Sequence, residues 1–289
     1  MAGHRAPAGP DRAPGPGPLR EAHVDLAELR DVAVSIATEA AALLASTVDD
    51  DRAVVDTKSS ATDMVTEMDR ASEALIVRRL RELRPDDGIV GEEGASHPGT
   101  SGVVWVVDPL DGTTNYLYRH PGWNVSVGAT VDGVPAAGAV VVPTHGDVFA
   151  AATGHGATRN GRTLQAGPPA PLAHTLVGTG FGYDPVRREA QVQALGRLIA
   201  RIRDVRRGGA AAGDLCSVAC GRLDAYYEAG LAEWDRTAAT VICREAGLRV
   251  EVRTDTELGP DCTIAAHPDR YDELVDLLLD AAVLTGTTP

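Results

Sequence analysis

Apolar and polar residues show two different periodicities along this chain, and each predicts a different kind of secondary structure. Over residues 22–47 and 67–84, apolar side chains recur at helical spacing, which is typical of amphipathic helices. Residues 123–131, 134–142 and 147–152 form apolar or alternating runs separated by turns such as Asp132-Gly133. We predict antiparallel strands joined by hairpins there, with another tight turn at Asn160-Gly161.

In the second half of the chain, short apolar runs alternate with helical segments. We predict strands at 175–180, 225–228, 248–252 and 263–266, and helices at 185–203, 209–221, 234–246 and 268–284. Hairpins and crossover connections then occur in one chain. The fold class is therefore α/β (α+β mixed), with mixed rather than purely parallel sheets.

One predicted strand ends in a group of polar residues. The apolar run 103–107 stops at Asp108-Pro109-Leu110-Asp111, so a buried strand delivers two carboxylates to a turn. Gly112, Thr113 and Thr114 follow directly. If they open a helical turn, their backbone N–H groups and hydroxyls would point at a bound phosphate.

Four carboxylates stand where strands or apolar runs stop: Glu92, Asp108, Asp111 and Asp235. Hard cations such as Mg²⁺ take oxygen ligands and keep several waters, so one or two carboxylates for each ion suffice. This set could hold two ions. Two metal ions about 3.5–4 Å apart can clamp a phosphoryl group, one generating hydroxide and the other stabilising the leaving oxygen.

Each of these four carboxylates also has a structural interpretation, and so does Asp69. Asp69, three residues after a threonine, fits a helix capping box, and Asp235 fits a helix N-cap. Asp108 before proline and Asp111 before glycine fit ordinary turns. The adjacent pair Glu92-Glu93 fits solvated surface charge in a loop that runs from residue 92 to 102.

Composition and charge narrow the classes of function. The 289 residues are 44% apolar and carry a formal net charge of −14, so the chain is long enough for a sizeable core. A strongly acidic chain is a poor partner for nucleic acid. If the protein binds a phosphate, bound cations must first change the net charge of the binding site from negative to positive. No apolar run approaches the ~20 residues that span a bilayer, so we expect no membrane partner.

Residues 1–20 are rich in Pro, Ala and Gly, which predicts a disordered tail before a folded domain over residues 21–285, with halves of about 21–170 and 171–285. The four cysteines form no C-x-x-C motif, which favours core packing and a cytoplasmic location. Lys58 is the only lysine of the chain. It is either a retained functional ammonium group or a surface lysine left by chance.

Other phosphate and metal motifs fail on spacing. The chain has no P-loop, no G-x-S-x-G and no H-E-x-x-H, and its glycines at 178, 180 and 182 lack the dinucleotide-binding spacing. An EF-hand starting at Asp108 would need Glu at its twelfth position, where Arg119 stands. Haloacid-dehalogenase phosphatases place two aspartates two residues apart, whereas Asp108 and Asp111 are three apart.

Three motifs in order resemble the inositol monophosphatase family of metal-dependent, lithium-sensitive phosphatases. They are Gly91-Glu92-Glu93, the stretch from Trp105 to Asn115, and Trp234-Asp235, and the resemblance extends over about residues 25–285. It implies a layered αβαβα sandwich with two mixed or antiparallel sheets. It also implies two to three Mg²⁺ ions, a small-molecule phosphate ester as substrate, and a homodimer.

The resemblance implies roles for individual residues. The first Mg²⁺ would be held by Glu92, Asp108 and the carbonyl of Leu110, and the second by Asp108, Asp111 and Asp235, with a weaker third ion near Glu92. The attacking water would be oriented by Thr113 and Asp69. Lys58 would lie beside the metal waters, and Asp63 matches a polar residue five positions beyond it.

The same resemblance implies a substrate site. The phosphate would lie at Gly112, Thr113 and Thr114, and the sugar-alcohol ring near Ala211, Glu228 and Asp235. We therefore predict hydrolysis of myo-inositol 1-phosphate by metal-activated water without a phosphoenzyme. The alternatives are another small phosphate ester, such as histidinol phosphate or fructose 1,6-bisphosphate, or a non-catalytic binding protein on the same scaffold.

Overall fold

The computed structural model describes residues 24–48, 56–57, 64–65 and 67–286, so the predicted tail at residues 1–20 lies outside the described residues. In these ranges the α-helices are α1 (Leu26–Thr47), α2 (Glu67–Leu83), α3 (Thr113–Leu117), α4 (Pro185–Leu198), α5 (Ala211–Ala219), α6 (Glu233–Glu245) and α7 (Pro268–Asp280). The first two confirm the helices expected from the spacing of apolar residues.

The strands of the described residues are short except in one sheet. They are β1 (Asp56–Thr57), β2 (Met64–Val65), β3 (Gly88–Gly91), β4 (Ser96–His97), β5 (Val103–Asp111), β6 (Asn124–Val131), β7 (Val134–Val142), β8 (Asp147–Ala152), β9 (Ala157–Arg159), β10 (Arg162–Leu164), β11 (Leu176–Thr179), β12 (Asp204–Arg206), β13 (Ala225–Ala229), β14 (Arg249–Arg253) and β15 (Cys262–Ala266). β1 and β2 pair only with each other.

The larger sheet has eight strands in the order β10-β9-β8-β7-β6-β5-β3-β4. Neighbouring strands are antiparallel except β3 and β5, which are parallel. The predicted hairpins of β6, β7 and β8 are confirmed. The turn between β9 and β10 is confirmed as well, because Asn160 and Gly161 both adopt positive φ, as a two-residue hairpin turn requires.

The smaller sheet has five strands in the order β12-β11-β13-β15-β14. β11 is parallel to β12 and β13, whereas β15 is antiparallel to β13 and β14. Both sheets are thus mixed, as the combination of hairpins and crossovers predicts. Parallel neighbours need a crossover connection, and α4 and α5 supply the helices that follow β11 and β12.

Helices and sheets alternate in five layers. α1 and α2 cover the outer face of the larger sheet, and α5 and α6 fill the space between the two sheets. α4 and α7 pack on the outer face of the smaller sheet. The αβαβα arrangement is confirmed. Its three apolar cores rest on Leu, Val, Ile and Ala, as the low aromatic content leads one to expect.

α1 is the longest helix of the described residues, with 22 residues, but its solvent side carries charge, for example Glu28 and Asp31. Among the described residues, no helix combines the length and the apolar content needed to cross a bilayer.

The structure corrects the predicted end of one strand. β5 does not stop at residue 107 but continues through Pro109 to Asp111. Asp108 pairs with Ser126 and Asp111 pairs with Asn124, so two residues of β5 oppose a single residue of β6. Because the bulge takes Pro109 out of the regular hydrogen-bond ladder between β5 and β6, the lack of an N–H on Pro109 breaks no ladder hydrogen bond.

Other boundaries also differ from the prediction. The predicted helix at 268–284 ends at Asp280, because Ala282 adopts a left-handed conformation and the N–H of Val283 bonds back to the carbonyl of Leu278. The helix predicted at 185–203 ends at Leu198 and continues only as a short 3₁₀ turn. The edge strands β4 and β12 were not predicted.

α6 lies unusually close to the larger sheet because two glycines face it. A Cβ atom on Gly138 of β7 would lie 2.8 Å from the Cα of Ala238, and one on Gly128 of β6 would lie 2.7 Å from the Cγ2 of Thr237. Side chains at these positions would lift α6 away from the sheet. The close approach therefore fixes the position of Asp235, which α6 carries in its first turn.

We predict that Gly138→Ala lowers the free energy of unfolding by about 1–3 kcal/mol, because the added methyl group overpacks the interface between β7 and α6. Urea denaturation measures this change. Gly196→Ala is the matched control, because a Cβ on Gly196 of α4 meets no atom within 4 Å. It should raise stability by up to about 1 kcal/mol through helix propensity. Equal effects of the two substitutions would contradict the close contact.

Candidate active site

A cavity of about 450 Å³ opens where the ends of several elements meet between the two sheets. Its walls come from the C-terminal ends of β5, β11 and β13 and from the N-terminal ends of α3, α4, α5 and α6. A smaller cavity of about 150 Å³ lies at the opposite ends of β11 and β13, near Thr175 and Asp224. It contains none of the residues predicted to form the site.

The larger cavity brings together most of the predicted site residues. Its lining includes Glu92, Asp108, Leu110, Asp111, Gly112, Thr113, Ala211, Glu228 and Asp235. Thr114 is half-buried in α3 and does not line the cavity, and Asp69 is fully buried in α2. Lys58 and Asp63 lie outside the described residues.

Asp108 is the most crowded carboxylate of the site. It is buried in the bulge of β5, and its Oδ1 accepts a hydrogen bond of 3.0 Å from the N–H of Leu110. Burial raises the pKa of Asp108 well above its usual range, and the negative charges of Glu92, Asp111 and Asp235 raise it further. The four carboxylates thus repel one another in a poorly solvated space.

Asp111 joins β5 to the N-terminus of α5. Its carboxylate accepts hydrogen bonds from the Nδ2 of Asn124 at 2.8 Å, the N–H of Ala211 at 3.1 Å and the N–H of Ala212 at 2.8 Å. Burial raises the pKa of Asp111 to about 6, although the hydrogen bonds from Asn124 and Ala212 oppose the rise. A carboxylate at a helix N-terminus also interacts favourably with the helix dipole.

Asp235 lies in the first turn of α6. Its Oδ2 accepts a hydrogen bond of 2.7 Å from the N–H of Ala232, which occupies the N-cap position. Asp235 is therefore not the N-cap itself but supports the cap from the third helical position. Burial, followed by the charges of Asp111 and Glu92, raises its pKa well above the usual range.

Glu92 reaches the cavity from the strand beside β5. β3 and β5 are parallel, with Gly91 paired to Val107, so Glu92 and Asp108 follow at the same edge of the sheet. The loop after Glu92 is held by Glu73 of α2, whose carboxylate accepts bonds from the N–H groups of Glu93 at 2.9 Å and Ala95 at 3.0 Å. Glu92 is half-buried rather than a freely solvated surface charge.

Thr113 and Asp69 form a hydrogen-bonded pair. The hydroxyl of Thr113 donates to the Oδ1 of Asp69 at 2.9 Å, and the carbonyl of Leu110 is a second acceptor at 3.2 Å. α2 is fixed to β5 at the same place, because the hydroxyl of Ser72 donates to the carbonyl of Pro109 at 2.8 Å. Asp69 has no exposed surface, and its hydrogen bond with Thr113 links it to the cavity.

Glu228 stands on the side of the cavity that belongs to the smaller sheet. Its carboxylate accepts a hydrogen bond from the hydroxyl of Tyr226 and lies against Gly180, where a Cβ atom would collide with it. Burial raises the pKa of Glu228 to about 7, while the Tyr226 hydroxyl and the charge of Arg207 lower it.

Several residues in and beside this cavity were not predicted from the sequence. Asp214 of α5 accepts a hydrogen bond from the N–H of Gly208 at 3.2 Å, and the Nδ2 of Asn115 donates to the carbonyl of Gly208 at 2.8 Å. Burial raises the pKa of Asp214 to about 7. Arg187 and Arg207 line the cavity. The sequence feature that could have drawn attention to Arg207 is the basic pair Arg206-Arg207 directly before two glycines.

The donors at this site are of the kind that Mg²⁺ prefers, namely carboxylate and carbonyl oxygens without sulfur or imidazole. Within the described residues, however, no three His, Cys, Asp or Glu side chains are arranged to hold an ion as they stand. Several of the carboxylate oxygens are instead engaged by backbone N–H groups. The donor set fits a hard cation in chemistry, and binding would draw the carboxylates together.

Comparison with known proteins shows which family the chain resembles over most of its length. A sequence profile of the inositol monophosphatase family matches residues 25–278. Inositol-1-monophosphatase of Mycobacterium bovis is 43% identical over 271 residues, covering 87% of this chain and 93% of that protein. Nus factor SuhB of Salmonella typhimurium is 36% identical over 218 residues, covering 75% of this chain and 82% of that protein. The solved structure of Mycobacterium tuberculosis SuhB matches with a TM-score of 0.78 and 41% identity, covering 90% of this chain and 99% of that chain.

The raised pKa of Asp214 predicts a pH-dependent stability. Its folded-state pKa of about 7 exceeds the ordinary value of 3.8, so the folded protein binds an extra proton between those values. The free energy of unfolding therefore falls as pH rises from about 4 to 7. In metal-free protein, Asp214→Asn should flatten this decline by up to about 3 kcal/mol between pH 5 and pH 8, measured by urea denaturation at the two pH values.

The exposed residue Asp276 of α7 provides the matched control, and Asp276→Asn should leave the pH dependence of the wild-type protein intact. An identical decline in the Asp214→Asn variant and the wild-type protein would show that burial does not perturb this carboxyl group.

Proposed function

The chain belongs to the inositol monophosphatase family, and we propose that it hydrolyses myo-inositol 1-phosphate to inositol and phosphate with Mg²⁺ and an activated water molecule. One observation carries the proposal: four mutually repelling carboxylates line a single cavity together with Thr113, whose hydroxyl is hydrogen-bonded to the buried Asp69. Similarity to the inositol-1-monophosphatase of Mycobacterium bovis supports the choice of substrate.

We assign the cation ligands from the family pattern and the cavity lining. Glu92, Asp108 and the carbonyl of Leu110 would hold one Mg²⁺, and Asp108, Asp111 and Asp235 a second, with a third ion near Glu92. The raised pKa values support this assignment, because the repulsion that raises them would be relieved by bound positive charge. Cations bound there would lower the pKa of water and neutralise phosphate oxygens.

The geometry of Thr113 supports its role in orienting water. Its single hydroxyl proton is donated towards Asp69, which leaves an oxygen lone pair free to accept a hydrogen bond from a water molecule in the cavity. Asp69 is buried and acts by holding that hydroxyl in one orientation. The pair would thereby position the attacking water and take up its proton.

Substrate binding follows the same walls of the cavity. Gly112 adopts a φ of 89°, which directs the chain into α3 and leaves the N–H group of Thr113, which lines the cavity, for the phosphate. Thr114 keeps its proposed place at the phosphate by family resemblance alone. The ring hydroxyls of the inositol would be bound near Ala211, Glu228 and Asp235. Lys58 keeps its proposed place beside the metal waters by family resemblance alone.

The presence of every carboxylate of the set disfavours a non-catalytic binding protein, since such a protein would not need four mutually repelling carboxylates, two of them buried, at one cavity. The homodimer and the sensitivity to lithium that the family resemblance implies stay predictions, as does the cytoplasmic location expected from the cysteine pattern.

Asp108→Asn should lower Mg²⁺-dependent phosphate release from myo-inositol 1-phosphate by at least about 10³-fold, because Asp108 is proposed to contact both cations. The variant should remain folded, since it removes a repelling charge from the buried set. Circular dichroism and a phosphate-release assay measure both properties. Asp132→Asn, at the exposed turn between β6 and β7, is the matched control.

Full activity of Asp108→Asn would rule out the cation assignment. A covalent aspartyl-phosphate trapped during turnover would instead contradict direct attack by water.

Thr113→Val should lower kcat by about 10²-fold or more, because valine keeps the shape of the side chain but removes the hydroxyl that is bonded to Asp69. Asp69→Asn should have an effect of similar size, and combining the two changes should add little, since both act through one hydrogen bond. Steady-state kinetics measures these values, with the exposed Thr163→Val as control. Additive losses in kcat would show that Thr113 and Asp69 act independently of each other.

A further inference from the structure

The start of β6 carries two buried polar side chains that face the layer between the two sheets. Trp123, just before the strand, packs in the apolar core beneath α1 and α2. Because successive residues of a strand point to opposite faces, Asn124 and Ser126 face α5 and α6 instead. Both side chains are fully buried. Across the ladder, Asn124 pairs with Asp111, and Ser126 pairs with Asp108.

Asn124 uses one end of its amide for Asp111. Its Nδ2 donates a hydrogen bond of 2.8 Å to the Oδ2 of Asp111, the oxygen that also accepts the N–H of Ala212 at 2.8 Å. The N–H of Ala211 binds the other oxygen, Oδ1, at 3.1 Å. Donors from β6 and α5 therefore fix the orientation of this carboxylate from two sides.

The other end of the Asn124 amide has no partner among the described residues. Its Oδ1 is buried and accepts no hydrogen bond there. A buried acceptor without a partner costs stability, because it has given up its bonds to water without replacement. The opposite orientation of the amide would place Oδ1 against the carboxylate of Asp111, which has no proton to donate. The bond to Asp111 therefore sets the orientation of the amide.

Gly213 of α5 leaves room for this amide. A Cβ atom on Gly213 would lie 3.0 Å from the Nδ2 of Asn124, which is closer than side-chain carbons usually approach. Glycine within a helix is unfavourable relative to alanine, because it loses more backbone freedom on folding. Gly213 thus has a packing reason, since it allows the first turn of α5 and the amide of Asn124 to approach Asp111 together.

Ser126 contacts the other helix of the same layer. Its hydroxyl donates a hydrogen bond of 3.3 Å to the carbonyl of Trp234 in the first turn of α6. That carbonyl belongs to the peptide bond that joins Trp234 to Asp235, whose carboxylate accepts the N–H of Ala232. β6 therefore binds Asp111 directly and holds the peptide bond that precedes Asp235.

We propose that Asn124 and Ser126 are positioning residues for the second Mg²⁺, the cation assigned to Asp108, Asp111 and Asp235. The inference rests on the proposed function and extends it, because β6 contacts two of these three ligands. Replacing a residue that holds a metal ligand in place typically lowers cation affinity by about 10–100-fold. The second Mg²⁺ should therefore weaken more than the first when these contacts are lost, since the first has its other ligands in β5 and at the end of β3.

The first test measures cation binding without turnover. Asn124→Leu removes the amide but keeps the branched shape of the side chain, and Asn124→Ala removes the amide without filling its space. In calorimetric titrations of metal-free protein with Mn²⁺, which shares the oxygen-ligand preference of Mg²⁺, each change should weaken one cation by about 10–100-fold and the other by less than about 3-fold. Circular dichroism confirms that each variant is folded.

A double variant identifies the weakened cation. Asp235→Asn removes a ligand assigned to the second cation alone, so it should abolish the same binding step. Adding Asn124→Ala to Asp235→Asn should then change Mn²⁺ binding little, because both changes act on one site.

Ser126→Ala should weaken the same cation by a smaller factor, about 3-fold or more, because its hydroxyl acts through a backbone carbonyl. Thr130→Val is the matched control. Thr130 also lies on β6, and its hydroxyl donates to the carbonyl of Val104 at 3.3 Å, outside the lining of the cavity. Its replacement should leave the affinities of both cations unchanged.

Gly213→Ala tests the packing of the amide. In the wild-type background it should weaken the second cation, because the added methyl group meets the Nδ2 of Asn124. In the Asn124→Ala background the same change should add little, since the amide is absent. Equal losses in the two backgrounds would contradict the placement of the amide between β6 and α5.

Turnover gives an independent readout. Because the defect lies in cation affinity, Asn124→Ala should lose hydrolysis of myo-inositol 1-phosphate at low Mg²⁺ and regain kcat to within about 3-fold of the wild-type value at saturating Mg²⁺. A kcat that stays low at every Mg²⁺ concentration would indicate a general structural defect and contradict the positioning role.

Unchanged Mn²⁺ affinities in both Asn124 variants, or equal weakening of both cations, would overturn the role of β6 and leave the proposed function standing. A wild-type protein that neither binds Mn²⁺ nor hydrolyses myo-inositol 1-phosphate with Mg²⁺ would overturn the proposed function itself.

Discussion

The structure depends on the burial of several like charges at one junction. Asp108, Asp111 and Asp235 lie at the ends of β5 and α6 with little access to solvent, and Glu92 adds its charge from the neighbouring strand. At an effective dielectric constant of about 20, two such charges about 4 Å apart repel by roughly 4 kcal/mol. A fold that keeps this arrangement needs either protons or cations there, and the oxygen donors favour hard cations.

The surrounding architecture holds the carboxylates in place despite their repulsion. The bulge of β5 allows Asp108 and Asp111 to face the cavity, the N-terminus of α5 binds Asp111, and the close packing of α6 on Gly128 and Gly138 fixes Asp235. These contacts come from both sheets and from the helices between them. Elements of several layers thus contribute to holding the carboxylates at the junction.

Much of the fold was predictable because its signals are local. Alternating apolar runs with Asp-Gly and Asn-Gly turns indicated the hairpins of the larger sheet, and helical spacing indicated α1 and α2. The four carboxylates were found because each stands where an apolar run stops. β12 escaped prediction because its three residues, Asp204–Arg206, are mostly polar and lie at a sheet edge. The extension of β5 to Asp111 was not predicted either, because it depends on pairing with Asn124 of the neighbouring strand β6.

The contacts within the site were beyond the reach of sequence reasoning. The bond between Thr113 and Asp69 joins residues 44 positions apart, and no spacing rule relates them. Asp214 lies within an Ala-rich helix where nothing marks it as a clamp for the loop of Arg207. The sequence shows 31 glycines, but only the packing reveals that Gly180 makes room for Glu228.

The central claim is that divalent cations occupy the junction of the four carboxylates. A crystal structure of the protein grown with Mn²⁺, an ion that shares the ligand preferences of Mg²⁺, tests it most directly because anomalous scattering locates the ions. From the proposed ligands we expect at least two anomalous peaks, both within coordination distance of Asp108, with Asp111 and Asp235 turned towards one of them. Anomalous peaks confined to the protein surface, with the four carboxylates uncoordinated, would contradict it.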